Sequence, residues 1–361
     1  MNKDLNSIKK PFFFRIKNKD RIFFSRNLAL LLKSGISLSE SLVILKESSE
    51  SKSLKFLINN IISDVDKGQF LYNSLAKFSK QLGNFFISLI RIGEVSGKLV
   101  ENCDKLAIEL EKADRLKSKI INAMIYPAFI IGIMFVIIII IIYFLFPRLL
   151  PMFESLNIEL PLMTRIFFQV STFILNYGLY LLIAMIAMVI LMIFLVKKFY
   201  KIRYGFHIFI LHLPILGKIV KKFNLASLCR TFGLLLNSGM PIVEALQLTS
   251  ETLSNEVFKK SILRASEFIA QGHPLEEFLN TNTSLFPYNF IKMINIGEKT
   301  GNLSNTLNYL TQNYEQEIEI EIDRLLHMLE PIILFTIAAI VGFMAIAIIT
   351  PIYEISDKIS Q

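Results

Sequence analysis

Apolar and polar positions divide this chain into two kinds of segment. Three runs, Ile120–Phe146, Ile166–Val196 and Pro331–Tyr353, contain no charged side chain. Each exceeds the roughly 20 residues that a helix needs to cross about 30 Å of hydrocarbon at about 1.5 Å per residue. The remaining segments read as helical, and strand signals are scarce. Ahead of the first run the pattern predicts helices near 22–34, 38–49, 53–67, 71–79, 84–93 and 98–120. Gly35, the Ser48–Ser53 cluster, Gly68, Gln81–Gly83 and Gly93–Gly97 divide them, at residues that favour turns and caps.

The same punctuation returns later in the chain at one constant offset, that between Gly35 and Gly239. Gly35, Glu40, Leu42, Gly68, Leu71, Gly93, Glu94, Gly97, Leu99, Pro127 and Pro147 recur as Gly239, Glu244, Leu246, Gly272, Leu275, Gly297, Glu298, Gly301, Leu303, Pro331 and Pro351, without a gap. Identity at glycines and prolines, which have fixed backbone roles, marks two copies of one structural unit. Thr252–Asn255 and Asn280–Thr283 divide the second copy as their counterparts divide the first. The expected fold class is therefore an all-α membrane protein, with two homologous six-helix bundles in parallel duplication plus three transmembrane helices. Since the prolines carry the repeat into the membrane, the repeated unit is bundle plus span, and Ile166–Val196 is the return helix between two units of like orientation.

Composition agrees, with 53% hydrophobic residues and a mean hydropathy of +0.51, beyond the usual soluble domain of this length. The first residues are polar and basic (Lys3, Asp4, Lys9, Lys10), so no cleavable signal peptide is expected and the N-terminus should be cytoplasmic. Lys112, Arg115, Lys117 and Lys119 precede the first span and Lys197, Lys198, Lys201 and Arg203 follow the second, whereas the segment between holds only Arg148 and Arg165. Basic flanks stay on the cytoplasmic side. The third span is ambiguous by charge, and the repeat places its tail outside. The expected order is a basic tail 1–20, cytoplasmic bundle 21–119, spans 120–146 and 166–196 around an external loop 147–165, a linker and second cytoplasmic bundle 197–330, span 331–353 and an external tail 354–361.

Ser37-Leu-Ser-Glu40 has capping-box spacing, in which a Ser oxygen and a Glu carboxylate satisfy orphan N–H groups reciprocally. The second copy has Pro241 in place of Ser37, which loses the box yet suits a first helical turn, with Glu244 still facing the helix dipole. Gly35 and Gly239 suit left-handed positions closing the preceding helix. Leu31-Leu32-Lys33-Ser34-Gly35, Gly93-Glu94-Val95-Ser96-Gly97-Lys98-Leu99 and Pro127, repeated as Leu235-Leu236-Asn237-Ser238-Gly239, Gly297-Glu298-Lys299-Thr300-Gly301-Asn302-Leu303 and Pro331, resemble the type II secretion F family. The resemblance covers both copies and leaves out only the short stretch ahead of Arg21.

That resemblance implies an inner-membrane platform of type II secretion systems, type IV pilus machines or DNA-uptake pseudopili. Its partners would be a cytoplasmic hexameric ATPase, pilin-like or pseudopilin subunits, other inner-membrane assembly components and further copies of itself, with no cofactor and no reaction of its own. The residues agree in lacking a Gly-x-x-x-x-Gly-Lys-[Ser/Thr] loop: Lys299 in Gly297-Glu298-Lys299-Thr300-Gly301 has no glycine before it. His207, His212, His273 and His327 show no ligand spacing, and Cys103 and Cys229, which are not repeat equivalents, read as buried free thiols in a reducing compartment.

Glu94 and Glu298, each at the start of the last helix of its bundle, fit three readings: a capping carboxylate, a partner contact, or a cation ligand. The run from Glu315 to Asp323 reads as a solvated helix face whose i, i+4 carboxylates repel and would be relieved by a basic surface. Net charge +9 lies largely beside the spans, where anionic lipid explains it better than nucleic acid. Pro11-Phe-Phe-Phe14 is either an interfacial anchor or a disordered tail. Pro127 and Pro331 should kink their helices or begin new ones, shaping a groove in which Gly132, Gly342, Ala338 and Ala339 pack against pilin-like helices. A transporter or channel component is the alternative. The spans lack the ionisable residues such a pathway uses, and no convergent set of nucleophile, base or metal ligands supports a membrane enzyme.

Overall fold

A computed structural model describes residues 14–145, 147, 151 and 162–359. The described chain is all-α, with no strand. The first copy forms α1 (Asn18–Lys33), α2 (Leu38–Ser48), α3 (Lys52–Val65), α4 (Leu71–Ala76), α5 (Ser79–Leu82), α6 (Asn84–Val95) and α7 (Leu99–Ala123). After α8 (Ile125–Ile140), with a π turn over Ile141–Leu145, come α9 (Leu162–Lys198) and α10 (Tyr200–His212). The second copy forms α11 (Leu216–Asn237), α12 (Ile242–Thr252), α13 (Glu256–Ala270), α14 (Leu275–Asn280), α15 (Tyr288–Lys299) and α16 (Leu303–Ile359).

The duplication is visible in the helix ends: α2, α4 and α6 begin and end at the repeat offset from α12, α14 and α15. One difference separates the copies. The helix expected over 71–79 in the first copy is two pieces, α4 and the single turn α5, so this bundle has one more helix than the six expected; the matching stretch of the second copy is turn rather than helix.

Two compact units result. One comprises residues 1–118 and 207–319 and contains both bundles; the other comprises 119–206 and 320–361 and contains the spans. In the bundle unit, apolar stripes at helical spacing meet: Phe24, Leu28, Leu42, Leu45, Leu57, Ile61 and Phe86 are buried in the first copy. Leu225, Phe232, Leu246, Phe258, Ile262 and Phe290 are buried in the second. The first bundle starts earlier than residue 21, because Ile16 is buried and Phe14 packs edge-on against Phe56 and Phe78, with ring centroids 5.4 and 5.8 Å away. Phe14 thus packs half-buried against the first bundle; residues 1–13, with the rest of the Pro11–Phe14 segment, lie outside the described residues.

Three helices among the described residues are long and apolar enough to cross a membrane: Leu99–Phe144, Phe168–Lys198 and Leu303–Phe343. Almost none of their apolar surface is covered. Where they do approach, a cavity of about 340 Å³ is lined by Ile138, Ile142, Ser171, Ile174, Ala339 and Phe343. Most of the expected external loop 147–165 and the last two residues of the expected tail 354–361 lie outside the described residues.

Candidate functional site

The repeated glycines divide into two physical roles. Gly35, Gly68, Gly97, Gly239, Gly272 and Gly301 all have φ between +67° and +92°, the left-handed region that a side chain disfavours. At Gly35 the amide donates to Leu32 O (3.0 Å) and the next amide, Ile36, to Leu31 O (3.2 Å), the paired bonds of a Schellman cap; Gly239 and Met240 repeat them on Leu236 and Leu235. Gly93 and Gly297 behave differently, since each lies inside a helix. A Cβ on Gly93 would stand 3.0 Å from Leu99 Cα and 3.0 Å from Asn102 Cβ. On Gly297 it would stand 2.7 Å from Thr306 Oγ1 and 3.1 Å from Leu303 Cα. These two glycines let α6 and α15 press against the next helix, so close approach, not positive φ, explains them.

Glu94 and Glu298 do not serve the helix that follows them. Each is the penultimate residue of its helix, and its carboxylate reaches back 22 and 23 residues to the start of a short one. Glu94 accepts from Leu71 N (2.7 Å) and Tyr72 N (2.9 Å), the first two residues of α4. Glu298 accepts from Leu275 N (2.9 Å) and Glu276 N (3.4 Å) of α14. The physical need is plain, because Phe70 and Pro274 stand at the N-cap positions and give no side-chain cap. A remote carboxylate supplies both the acceptor and the charge that those orphan N–H groups require. The sequence signal for this was a helix start lacking Ser, Thr, Asp or Asn in both copies.

At the other caps, Ser37 Oγ accepts from Glu40 N (3.3 Å), while α12 begins after Pro241 with no side-chain cap. Glu244 has a further role, for it pairs with Arg91 of α6. That contact joins the two bundles, and beside it Asn84 Nδ2 donates to Glu251 Oε2 (2.7 Å). Sequence reasoning missed this seam. It also missed Arg230, which is buried and binds Glu315 of its own copy while its Nε lies 3.4 Å from Glu109 Oε2 of the other. Burial pushes the Glu109 carboxyl above the usual range, against the pull of Lys112 and Arg230. The signal was available: Arg26 and Glu111 are the repeat counterparts of Arg230 and Glu315, and they also pair (2.7 Å).

The acidic run of α16 finds its basic surface within the chain, at Arg230 for Glu315 and at Lys222 for Glu317 (3.0 Å). Cys103 and Cys229 are buried and unpaired, and burial pushes the Cys103 thiol up to about 12. The two prolines part company. Pro127 is the third residue of α8, whose start after a turn at Met124 matches a missing N–H there, whereas α16 runs through Pro331 unbroken. Of the two outcomes expected at Pro331, a kink or a new helix, no new helix begins there. Gly132 and Gly342 both face open space.

Duplicated helical bundles joined by apolar helices define a multi-pass α-helical membrane protein with an internal repeat. The family model for type II secretion system (T2SS), protein F, matches residues 24–147 and again 228–351, so the two matches are themselves related by the repeat offset. The chain belongs to that family. It is 30% identical over 345 residues to the type IV pilus assembly protein PilC of Pseudomonas aeruginosa, covering 96% of this chain and 92% of the relative. The PilC protein of Thermus thermophilus is 33% identical over 349 residues, covering 95% and 84%. The type II secretion system protein F of Aeromonas hydrophila is 29% identical over 337 residues, covering 93% and 86%.

Proposed function

We propose that the chain is an inner-membrane platform subunit of a type II secretion or type IV pilus-like machine, which couples a cytoplasmic ATPase to the assembly of pilin-like subunits. The observation that supports this most is the family match falling twice, each time across most of a bundle and its span. Nearly full-length relatives whose names are pilus assembly and type II secretion proteins support it further. The basic flanks of the first two spans support a cytoplasmic N-terminus and cytoplasmic bundles, and the repeat, which orients the third span like the first, supports an external C-terminus.

In this reading the chain acts by binding and not by covalent chemistry. The bundles engage the ATPase, and the spans offer Gly132 and Gly342 to pilin-like helices. The Glu94 and Glu298 clamps hold each bundle's short helix in place, so that force applied to one bundle surface is carried by a fixed shape. In-cell photocrosslinking from the exposed bundle residues and from positions 132 and 342 of the full-length chain tests this. Capture of the cognate secretion ATPase by the first set and of a pilin-like subunit by the second is the expected result. Absence of both adducts, with filament or cargo export intact after deletion of this gene, would overturn the reading.

A further inference from the structure

Basic side chains of the first bundle converge on one cavity of about 560 Å³, where the start of α1 meets α5 and the later part of α7. Arg15, Lys17, Lys19, Arg21, Lys80 and Lys117 line it, and Asp114 is the one acidic side chain in its wall among the described residues. None of these six bases forms an ion pair among the described residues. Arg21 lies deepest: it is half-buried, its Nη2 donates to Gln81 O, and its Nε is buried without a partner. Burial holds its guanidinium below the ordinary range. The other five are exposed around it. A cation drawn partly out of water beside like charges is costly until an anion joins it.

The repeat shows that the fold does not require this charge. Arg15, Lys19, Arg21, Lys80 and Lys117 correspond, at the repeat offset, to Ile219, Phe223, Leu225, Ser284 and Glu321 in the second copy. Ile219 and Leu225 are buried in the second bundle, so the same scaffold takes apolar side chains where the first copy has Arg15 and Arg21. Of the six, Lys17 alone keeps a basic counterpart, Lys221. Bases gathered around a cavity in one copy and absent from its twin answer a demand other than folding.

We propose that this cavity is a headgroup site for an anionic phospholipid, whose phosphate oxygens accept hydrogen bonds from Arg21 at the floor and from the lysines at the rim. A guanidinium fork fits phosphate oxygens geometrically, and lysines add mobile point charges. Lys117 stands three residues ahead of Ile120, where the first uncharged run begins, so this basic wall leads directly into membrane-spanning sequence, the place where bases meet anionic lipid. A soluble phosphate compound offers the same oxygens and is the rival source to be separated. The inference does not depend on the ATPase and pilin contacts proposed above.

Native mass spectrometry of the full-length chain, delipidated in a neutral detergent and titrated with phosphatidylglycerol or phosphatidylcholine, tests it. The variant Arg21→Leu with Lys80→Ser borrows the second copy's own residues, Leu225 and Ser284, which the repeat already accommodates. Wild type should bind its first phosphatidylglycerol more tightly than phosphatidylcholine. The double variant should weaken phosphatidylglycerol binding about thirtyfold, the effect of two bases, and leave phosphatidylcholine unchanged. Lys52→Gln with Lys67→Gln removes as much charge elsewhere on the first bundle and should leave both affinities at the wild-type level. If a thermal melt shows that Arg21→Leu unfolds the bundle, Lys19→Gln with Lys117→Gln, at two exposed rim positions, gives the same reading. Equal loss of phosphatidylglycerol in cavity and control variants, or loss in neither, would overturn the proposal. So would displacement of bound phosphatidylglycerol by inorganic phosphate or glycerol 3-phosphate at comparable concentration, which would assign the cavity to a soluble anion.

Discussion

Single residues in this chain do unlike work at like positions. The two clamps, Glu94 on α4 and Glu298 on α14, each place a carboxylate on two orphan amides. Hydrogen bonds to a charged group contribute about 1.5–3 kcal/mol, so Glu94→Ala and Glu298→Ala should each lower stability by roughly that amount. Glu→Gln, which keeps one acceptor but no charge, should fall between; thermal melts of the detergent-solubilised chain check the order. The thiol of Cys103, held up at about 12 by burial, should resist alkylation at pH 8 until the protein is denatured. Its sign follows from linkage. A folded-state pKa above the unfolded one means that stability is fully present below the ordinary thiol range and is lost as pH rises from there toward about 12. Urea melts at pH 8 and pH 10 of wild type and Cys103→Ser should show the wild type losing more.

At the scale of elements, close approach and proline placement decide which helices continue. Gly93→Ala and Gly297→Ala would each drive a methyl into the backbone of the next helix, since Leu99 Cα and Leu303 Cα stand 3.0 and 3.1 Å from the new Cβ. Overpacking of this kind costs about 1–3 kcal/mol. Both variants should melt earlier than wild type, with Gly132→Ala, which meets nothing within 4 Å, as the neutral control. Of the two prolines, Pro127 sits in the first turn of α8, where its missing N–H costs little, while Pro331 lies inside α16. Pro331→Ala should therefore stabilise its helix more than Pro127→Ala does. Hydrogen exchange at the amides around 331 and 127 measures it.

For the whole molecule, the seam between the bundles makes one arginine far more important than its repeat. Arg230 holds Glu109 and Glu315 together from a buried position, and its removal would leave two carboxylates facing one another. Breaking a buried pair costs about 3–5 kcal/mol, whereas an exposed pair is worth about 0–1 kcal/mol. Arg230→Ala should thus melt the bundle unit well before Arg26→Ala does. Since burial already raises the Glu109 carboxyl, mild acid should protonate it early and shrink the Arg230→Ala penalty; melts at pH 7 and pH 5 compare them.

The sequence by itself determined the duplication, most helix boundaries to within a turn and the three spans. Those features are written in local chemistry: turn glycines, uncharged runs and identities at one constant offset. It also supplied every residue of the clamps, but not their target, because a carboxylate that caps a helix 23 residues away leaves no local pattern. Only the tertiary structure decided that Gly93 and Gly297 are contact points between helices and that Phe14 packs against Phe56 and Phe78. It likewise decided that Arg230 and Arg26, identical by repeat, differ in burial. The physical reason is common to all of these. Periodicity reports which face a helix hides, whereas what that face meets depends on packing between elements distant in the chain, and two copies of one sequence unit face different neighbours once the first has packed against the second.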